Sequence, residues 1–165
     1  MSDDEFERIV TLFRENVRRA ALCWLCSPAD AEDVTQEVFL KLYVTSKRFE
    51  SDEHIKAWLL RCTKNKCTDL LRSRKYRDYT PLDSLYDIAA PEPNNDRADG
   101  LDTAVLRLNG KLRITLYLHY YEGFSVGETA RLLNISVPAV KLRLMRARAK
   151  LAEILTAEKE NDNGL

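Results

Sequence analysis

Residues 125–151 read SVGETARLLNISVPAVKLRLMRARAKL, and no other stretch restricts the fold as strongly. The pattern is that of a helix-turn-helix, in which two short helices meet at a tight turn and the second is shaped for a DNA groove. Ser125 and Glu128 form an S-x-x-E capping box that starts the first helix. Ala130 is small where the two helices cross. Asn134 falls at the turn, where a left-handed backbone is often needed and Asn tolerates it. Ile135 and Val140 can fill the space between the helices. Ser136 can cap the second helix, and Pro138 falls in its first turn, where a missing N–H costs little. That helix then carries Lys141, Arg143, Arg146, Arg148 and Lys150. The alternative is a solvated basic helix in an ordinary bundle; cap, small residue, turn residue and basic helix all fall in the register of the motif instead.

The rest of the chain also reads as helix. A length of 165 residues suits one or two small domains, and only 5 Gly and 5 Pro interrupt it. Phe6, Ile9, Val10, Phe13, Val17, Ala20 and Ala21 recur at helical spacing, predicting a helix from about Asp3 to Leu25. Ser27-Pro28 breaks it and starts a second helix, capped by Ser27 or Asp30 and running to about Val44. Its Val34, Val38 and Leu42 face a core, while Asp33, Gln36, Glu37 and Leu40 form a second stripe that suits solvent or a partner surface. A third helix runs from near Ser51 or Asp52 to about Arg74, with Ile55, Leu59, Cys62 and Leu70 inward, Trp58 in the core and its other faces basic. Pro81, Pro91, Pro93 and Gly100 punctuate an acidic linker. Beyond it, a short helix carrying Val105, Leu106 and Leu108 meets Asn109-Gly110. A further helix from about Lys111 to Tyr121 ends at Glu122-Gly123, before the helix-turn-helix. The expected fold is all-α: a helical domain over 1–78, a linker over 79–102 and a second helical domain over 103–160.

Charge is zoned. Lys plus Arg and Asp plus Glu both number 26, a neutral balance that is unusual for a free DNA binder. Ser27–Glu37 is purely acidic, Lys56–Arg77 is basic apart from Asp69, Pro81–Asp102 is acidic apart from Arg97, and the helix-turn-helix is basic again. One nucleic-acid contact in each half and a protein contact on the acidic patch would fit. No apolar run is long enough to span a bilayer, and MSDDEFERIV is unlike a signal peptide, so no membrane insertion and a cytoplasmic location are expected. Cys23 and Cys26 form a C-x-x-C, but zinc needs four ligands and the histidines are only His54 and His119. Small buried thiols in a helical core are the expected account, with no metal or cofactor, and a thiol or metal redox protein is the rival reading.

Two separate stretches resemble one family. DAEDVTQEVFLKLY at Asp30–Tyr43 resembles the core-binding segment of bacterial RNA polymerase sigma factors, and LHYYEGFSVGETARLLNISVPAVKLRLMRARAKL resembles their promoter-reading helix-turn-helix. Order, spacing and the acidic linker resemble the extracytoplasmic-function class, which keeps only conserved regions two and four. The resemblance implies docking on core polymerase through Asp30, Asp33, Gln36, Glu37, Phe39 and Leu40, with Phe39 equally open to a packing role. It implies minus-ten recognition by Phe49 and Asn65, with Lys64, Lys66 and Arg72 on phosphates; local residues alone would make Phe49 a core cap and Asn65 solvated. It implies minus-thirty-five recognition by Ser136, Lys141, Leu142, Arg143 and Arg146, where Arg143 and Arg148 can alternatively bind phosphate or carboxylates of the protein itself. Core polymerase, promoter DNA and an anti-sigma factor are the implied partners, the linker is implied to thread the RNA exit path, and the chain is implied to be no enzyme. A stand-alone dimeric helix-turn-helix regulator is the other rival, disfavoured by the neutral charge and acidic patch.

The chain departs from the family in three places. Pro138-Ala139-Val140-Lys141-Leu142-Arg143 stands where G-T-V-K-S-R is common, and Leu142 can touch a thymine methyl but cannot hydrogen-bond. Asn109-Gly110 replaces a Leu-Pro junction, which predicts a looser helix start. Leu60-Arg61-Cys62-Thr63 replaces Tyr-Arg-Ile-Ala and changes packing near the minus-ten reader.

Overall fold

The computed structural model describes residues 1–78 and 100–164, which are helices, turns and short connections with no strand among them. They fall into two compact units, one within Met1–Leu85 and one within Tyr86–Leu165. The fold is therefore all-α, with two small helical domains, the second carrying a helix-turn-helix. The acidic linker expected over 79–102 lies, from 79 to 99, outside the described residues.

In the first unit α1 (Asp3–Leu25), α2 (Pro28–Val44) and α3 (Asp52–Asp78) pack against one another in every pair. Local chemistry sets the ends. The Ser2 hydroxyl accepts the Glu5 N–H (3.2 Å), and Asp3, Asp4 and Glu5 lie at the positive end of the helix dipole. Cys26 ends α1 in a left-handed conformation (φ 53°), its N–H donating to the Leu22 carbonyl at 2.8 Å. Ser27 caps α2 through the Asp30 N–H (3.3 Å), and Ser51 caps α3 through the His54 N–H (3.1 Å). Ile9, Phe13, Val17, Val34, Val38, Leu42, Ile55 and Leu59 are buried between the helices. Buried Thr35 and Thr63 donate their hydroxyls to the carbonyls of Ala31 (2.7 Å) and Leu59 (2.8 Å), so neither is orphaned.

Two inward positions of α3 differ from the sequence expectation. Trp58 is only half-buried, at the rim of the core beside Phe49. Leu70 is half-buried too, while Leu60, Cys67 and Leu71 are buried. The buried stripe rotates along α3 because the helix packs on both α1 and α2, which a single-face periodicity does not anticipate.

In the second unit α4 (Gly100–Leu106) is followed by α5 (Gly110–Leu116), a π-helical turn (Tyr117–Tyr121), α6 (Val126–Leu133) and α7 (Val137–Asn163). Val105, Leu108, Leu116, Ala130, Val140, Leu144 and Ala147 form the core, with Leu112, Ile135 and Leu151 packed at its edge. The start of α5 is not loose: the Asn109 side-chain oxygen accepts the Leu112 N–H at 3.0 Å, and Gly110 is buried. Asn is a good cap, so the missing proline is compensated. Arg113 is 1% exposed and donates to the Leu108 carbonyl (2.7 Å), satisfying an acceptor just beyond α4. Gly123 takes φ 75° after the π-turn, and the Tyr117 hydroxyl donates to the buried Glu122 carboxylate at 2.5 Å.

Candidate functional site

The helix-turn-helix assembles as its local chemistry predicts. The Ser125 hydroxyl accepts the Glu128 N–H at 3.1 Å. Asn134 ends α6 at φ 56°, ψ 47°, and the Ile135 N–H bonds back to the Ala130 carbonyl at 3.0 Å. The Ser136 hydroxyl accepts the Ala139 N–H at 3.2 Å, with Pro138 in the first turn of α7. Val140, Leu144 and Ala147 turn inward, which forces Lys141, Leu142, Met145 and Arg146 outward. Ser136 is exposed, Arg143 is half-buried, and Arg148 donates to the Tyr120 hydroxyl at 2.6 Å. Arg146 borders an open groove of about 430 Å³ together with Arg107, Asn109 and Lys150.

On the first unit, α2 presents Asp33, Gln36, Glu37 and Leu40 to solvent, opposite Val34, Val38 and Leu42. Leu40 is 64% exposed, whereas Phe39 is 7% exposed and belongs to the core. That places Phe39 among the packing residues. Asp30 is half-buried and paired with Arg74 of α3. Glu37 meets Lys66 of α3 at 2.5 Å, and their pairing raises the Lys66 ammonium above its ordinary range. Tyr43 and Val44 are also exposed and lengthen the apolar end of this stripe. Their spacing of three and four from Leu40 was the available signal.

A second cluster forms where the loop after α2 meets α3. The Phe49 ring sits edge-on to His54 (centroids 5.4 Å apart) and to Trp58 (5.5 Å). Lys47 lies 6.0 Å from the Phe49 ring and Lys41 6.0 Å from the Trp58 ring. His54 and Trp58 face the loop from successive turns of α3, a partnership the sequence reading missed. Along α3, Asn65, Lys66 and Arg72 are exposed and Lys64 is half-buried. Burial holds the Lys64 ammonium below its ordinary range, and the charges of Arg61 and Arg72 push it further down. Arg61 and Arg72 thus both lie close enough to Lys64 to act on its charge.

The four thiols differ in their surroundings. Cys23, Cys62 and Cys67 are buried, and Cys26 terminates α1. Burial, with Asp30 and Cys23 adding to it, pushes the Cys67 thiol far up, and burial also raises Cys62. A thiol held protonated is a poor nucleophile and ligand. Among the described residues no three of His, Cys, Asp and Glu gather into a metal site, and no helix is long and apolar enough to cross a membrane.

Comparison with known proteins is concordant. Residues 9–77 match the family model for Sigma-70 region 2, and residues 98–151 match that for Sigma-70 region 4. The chain is 29% identical over 150 residues to the ECF RNA polymerase sigma factor SigM of Mycobacterium tuberculosis, covering 91% of this chain and 76% of that one. It is 32% identical over 169 residues to the RNA polymerase sigma factor CnrH of Cupriavidus metallidurans, covering 94% and 88%. The solved structure of CnrH in complex with the cytosolic domain of CnrY aligns with a TM-score of 0.62 at 28% identity, covering 94% of this chain and 90% of that one.

Proposed function

The chain belongs to the sigma-70 family of RNA polymerase sigma factors, in its extracytoplasmic-function class, and on that premise we propose which surfaces carry each task. As a sigma factor it directs promoter-specific transcription initiation by core RNA polymerase. Residues 1–78 act as region two and residues 103–160 as region four, joined by the linker over 79–102. Core polymerase docks on the outward stripe of α2, through Asp33, Gln36, Glu37 and Leu40. Asp30 contributes indirectly, because its carboxylate is engaged by Arg74 and steadies the α2–α3 junction. The observation that supports this most is the segregation on α2 itself: Val34, Val38, Phe39 and Leu42 face the core, leaving a stripe of acids, an amide and a leucine outside it.

The minus-ten element is captured at the Phe49 cluster. An extruded base needs an aromatic wall, a hydrogen-bonding side chain and positive charge nearby. Phe49 with Trp58 and His54 supplies the wall, Asn65 the hydrogen bonds, and Lys64, Lys66 and Arg72 the phosphate contacts. The outward face of α7 reads the minus-thirty-five element. Nucleotide addition belongs to polymerase; this chain supplies recognition and no catalytic group. It works in the cytoplasm, where a protein partner binds it as the cytosolic domain of CnrY binds CnrH, and an anti-sigma factor is the expected such partner.

The test is reconstitution of the full chain with core polymerase on templates carrying random minus-thirty-five and minus-ten elements. Specific transcripts should appear only when both proteins are present. Tight footprinting by the chain alone, without co-purification with polymerase, would favour the stand-alone regulator instead. In the same assay Phe49→Ala should lower transcript from duplex templates by roughly tenfold, given about 1–3 kcal/mol per base–aromatic stack. A template already unpaired at the minus-ten element should recover part of that loss.

Lys141→Ala separates two ways of touching DNA. A bidentate base contact should cost about 1–3 kcal/mol at one position of the upstream element and relax preference there. A phosphate contact should instead weaken all sequences alike and flatten the salt dependence of binding.

A further inference from the structure

The outward face of α7 is not simply basic. With about 3.6 residues per turn, Pro138, Leu142 and Met145 fall on one line, with Lys141 on one side and Arg146 on the other. Leu142 is 40% exposed and Met145 56% exposed, directly opposite the buried Val140, Leu144 and Ala147. An apolar strip between two cations has no structural task in the domain, because the core is already closed behind it. Nor does it suit an apolar protein groove, since Lys141 and Arg146 would then have to be buried or displaced.

Duplex DNA fits both parts. Phosphates on either wall of the major groove would take the flanking cations, and the groove floor carries one prominent apolar group, the C5-methyl of thymine. Leucine offers no hydrogen bond to a base edge and methionine only a weakly accepting sulfur, so neither can reward guanine, adenine or cytosine as it can a methyl group. We propose that Leu142 and Met145 are specificity residues that read thymine methyl groups in the upstream promoter element. The inference rests on the assignment of α7 to that element. It adds a preference set by apolar contact rather than by arginine or lysine hydrogen bonds.

The experiment uses the full chain with core polymerase and selects bound duplexes from a pool randomised across the upstream element. Selected sequences should be enriched in thymine at neighbouring positions facing α7. The best duplex is then made again with deoxyuridine replacing those thymidines, which removes only the methyl groups. Binding should weaken about fourfold per methyl, the effect of losing one buried methyl-sized group. The double variant Leu142→Ala with Met145→Ala should bind the two duplexes equally while keeping its helical signal, since both positions are exposed. Equal binding of thymidine and deoxyuridine duplexes by the unaltered protein would overturn the inference, as would selection of elements without thymine. Should Lys141→Ala and removal of the upstream element both leave binding unchanged, the assignment of α7 to that element fails, and the methyl reading fails with it.

Discussion

Asp33→Lys combined with Glu37→Lys is expected to weaken assembly with core polymerase by about 2–4 kcal/mol, roughly thirty- to several-hundred-fold. Both carboxylates are exposed on α2, outside the buried core of the unit. Helical signal and melting temperature should therefore change little, because an exposed pair such as Glu37–Lys66 contributes no more than about 1 kcal/mol. Glu37→Lys also sets a second ammonium against Lys66, which belongs to the proposed minus-ten face. Glu37→Gln is the control: it removes the attraction without adding repulsion. If Glu37→Gln loses polymerase affinity while Lys66→Ala does not, the carboxylate acts on polymerase and not through its pair. Native-like binding by the double lysine variant, measured by competition with the unaltered protein for limiting polymerase, would remove α2 as the docking face.

What could be read from the sequence was local chemistry. Ser27, Ser125, Ser136 and Asn134 do in space what hydroxyl caps and a left-handed turn residue do anywhere, so their positions followed from residue type alone. The outward stripe of α2 followed from a strict spacing of its apolar residues. What could not be read depends on partners far apart in the chain. Trp58 sits at a rim because the Phe49 loop folds against it, and Leu71 replaces Leu70 because α3 touches two helices at once. Arg113 looks like a surface cation but is buried, its guanidinium turned onto the Leu108 carbonyl. Likewise the Lys66–Glu37 and Arg74–Asp30 pairs exist only because α3 crosses α2. The family resemblance implies destinations for these surfaces, but not which residues the fold had already committed.

Phe39 is the sharpest instance of such a commitment, and its replacement is expected to have the largest effect on stability. The ring is 7% exposed, and buried aromatic-to-alanine changes cost about 3–5 kcal/mol through lost transfer energy and the cavity left behind. Domains of this size hold only about 5–15 kcal/mol in total. Phe39→Ala should therefore lower the thermal and denaturant midpoints of the first unit sharply, with polymerase binding and minus-ten recognition falling together. Its neighbour provides the contrast. Leu40→Ala removes a side chain that packs little, so stability should move by no more than about 0.5 kcal/mol while polymerase affinity drops. Phe39→Leu keeps most of the apolar volume and should recover both stability and binding in step. Were Phe39→Ala instead to lose polymerase with its unfolding midpoint unchanged, the ring would be a contact residue and the inward face of α2 would be assigned wrongly. Two adjacent residues on one helix thus separate the requirement to fold from the requirement to dock.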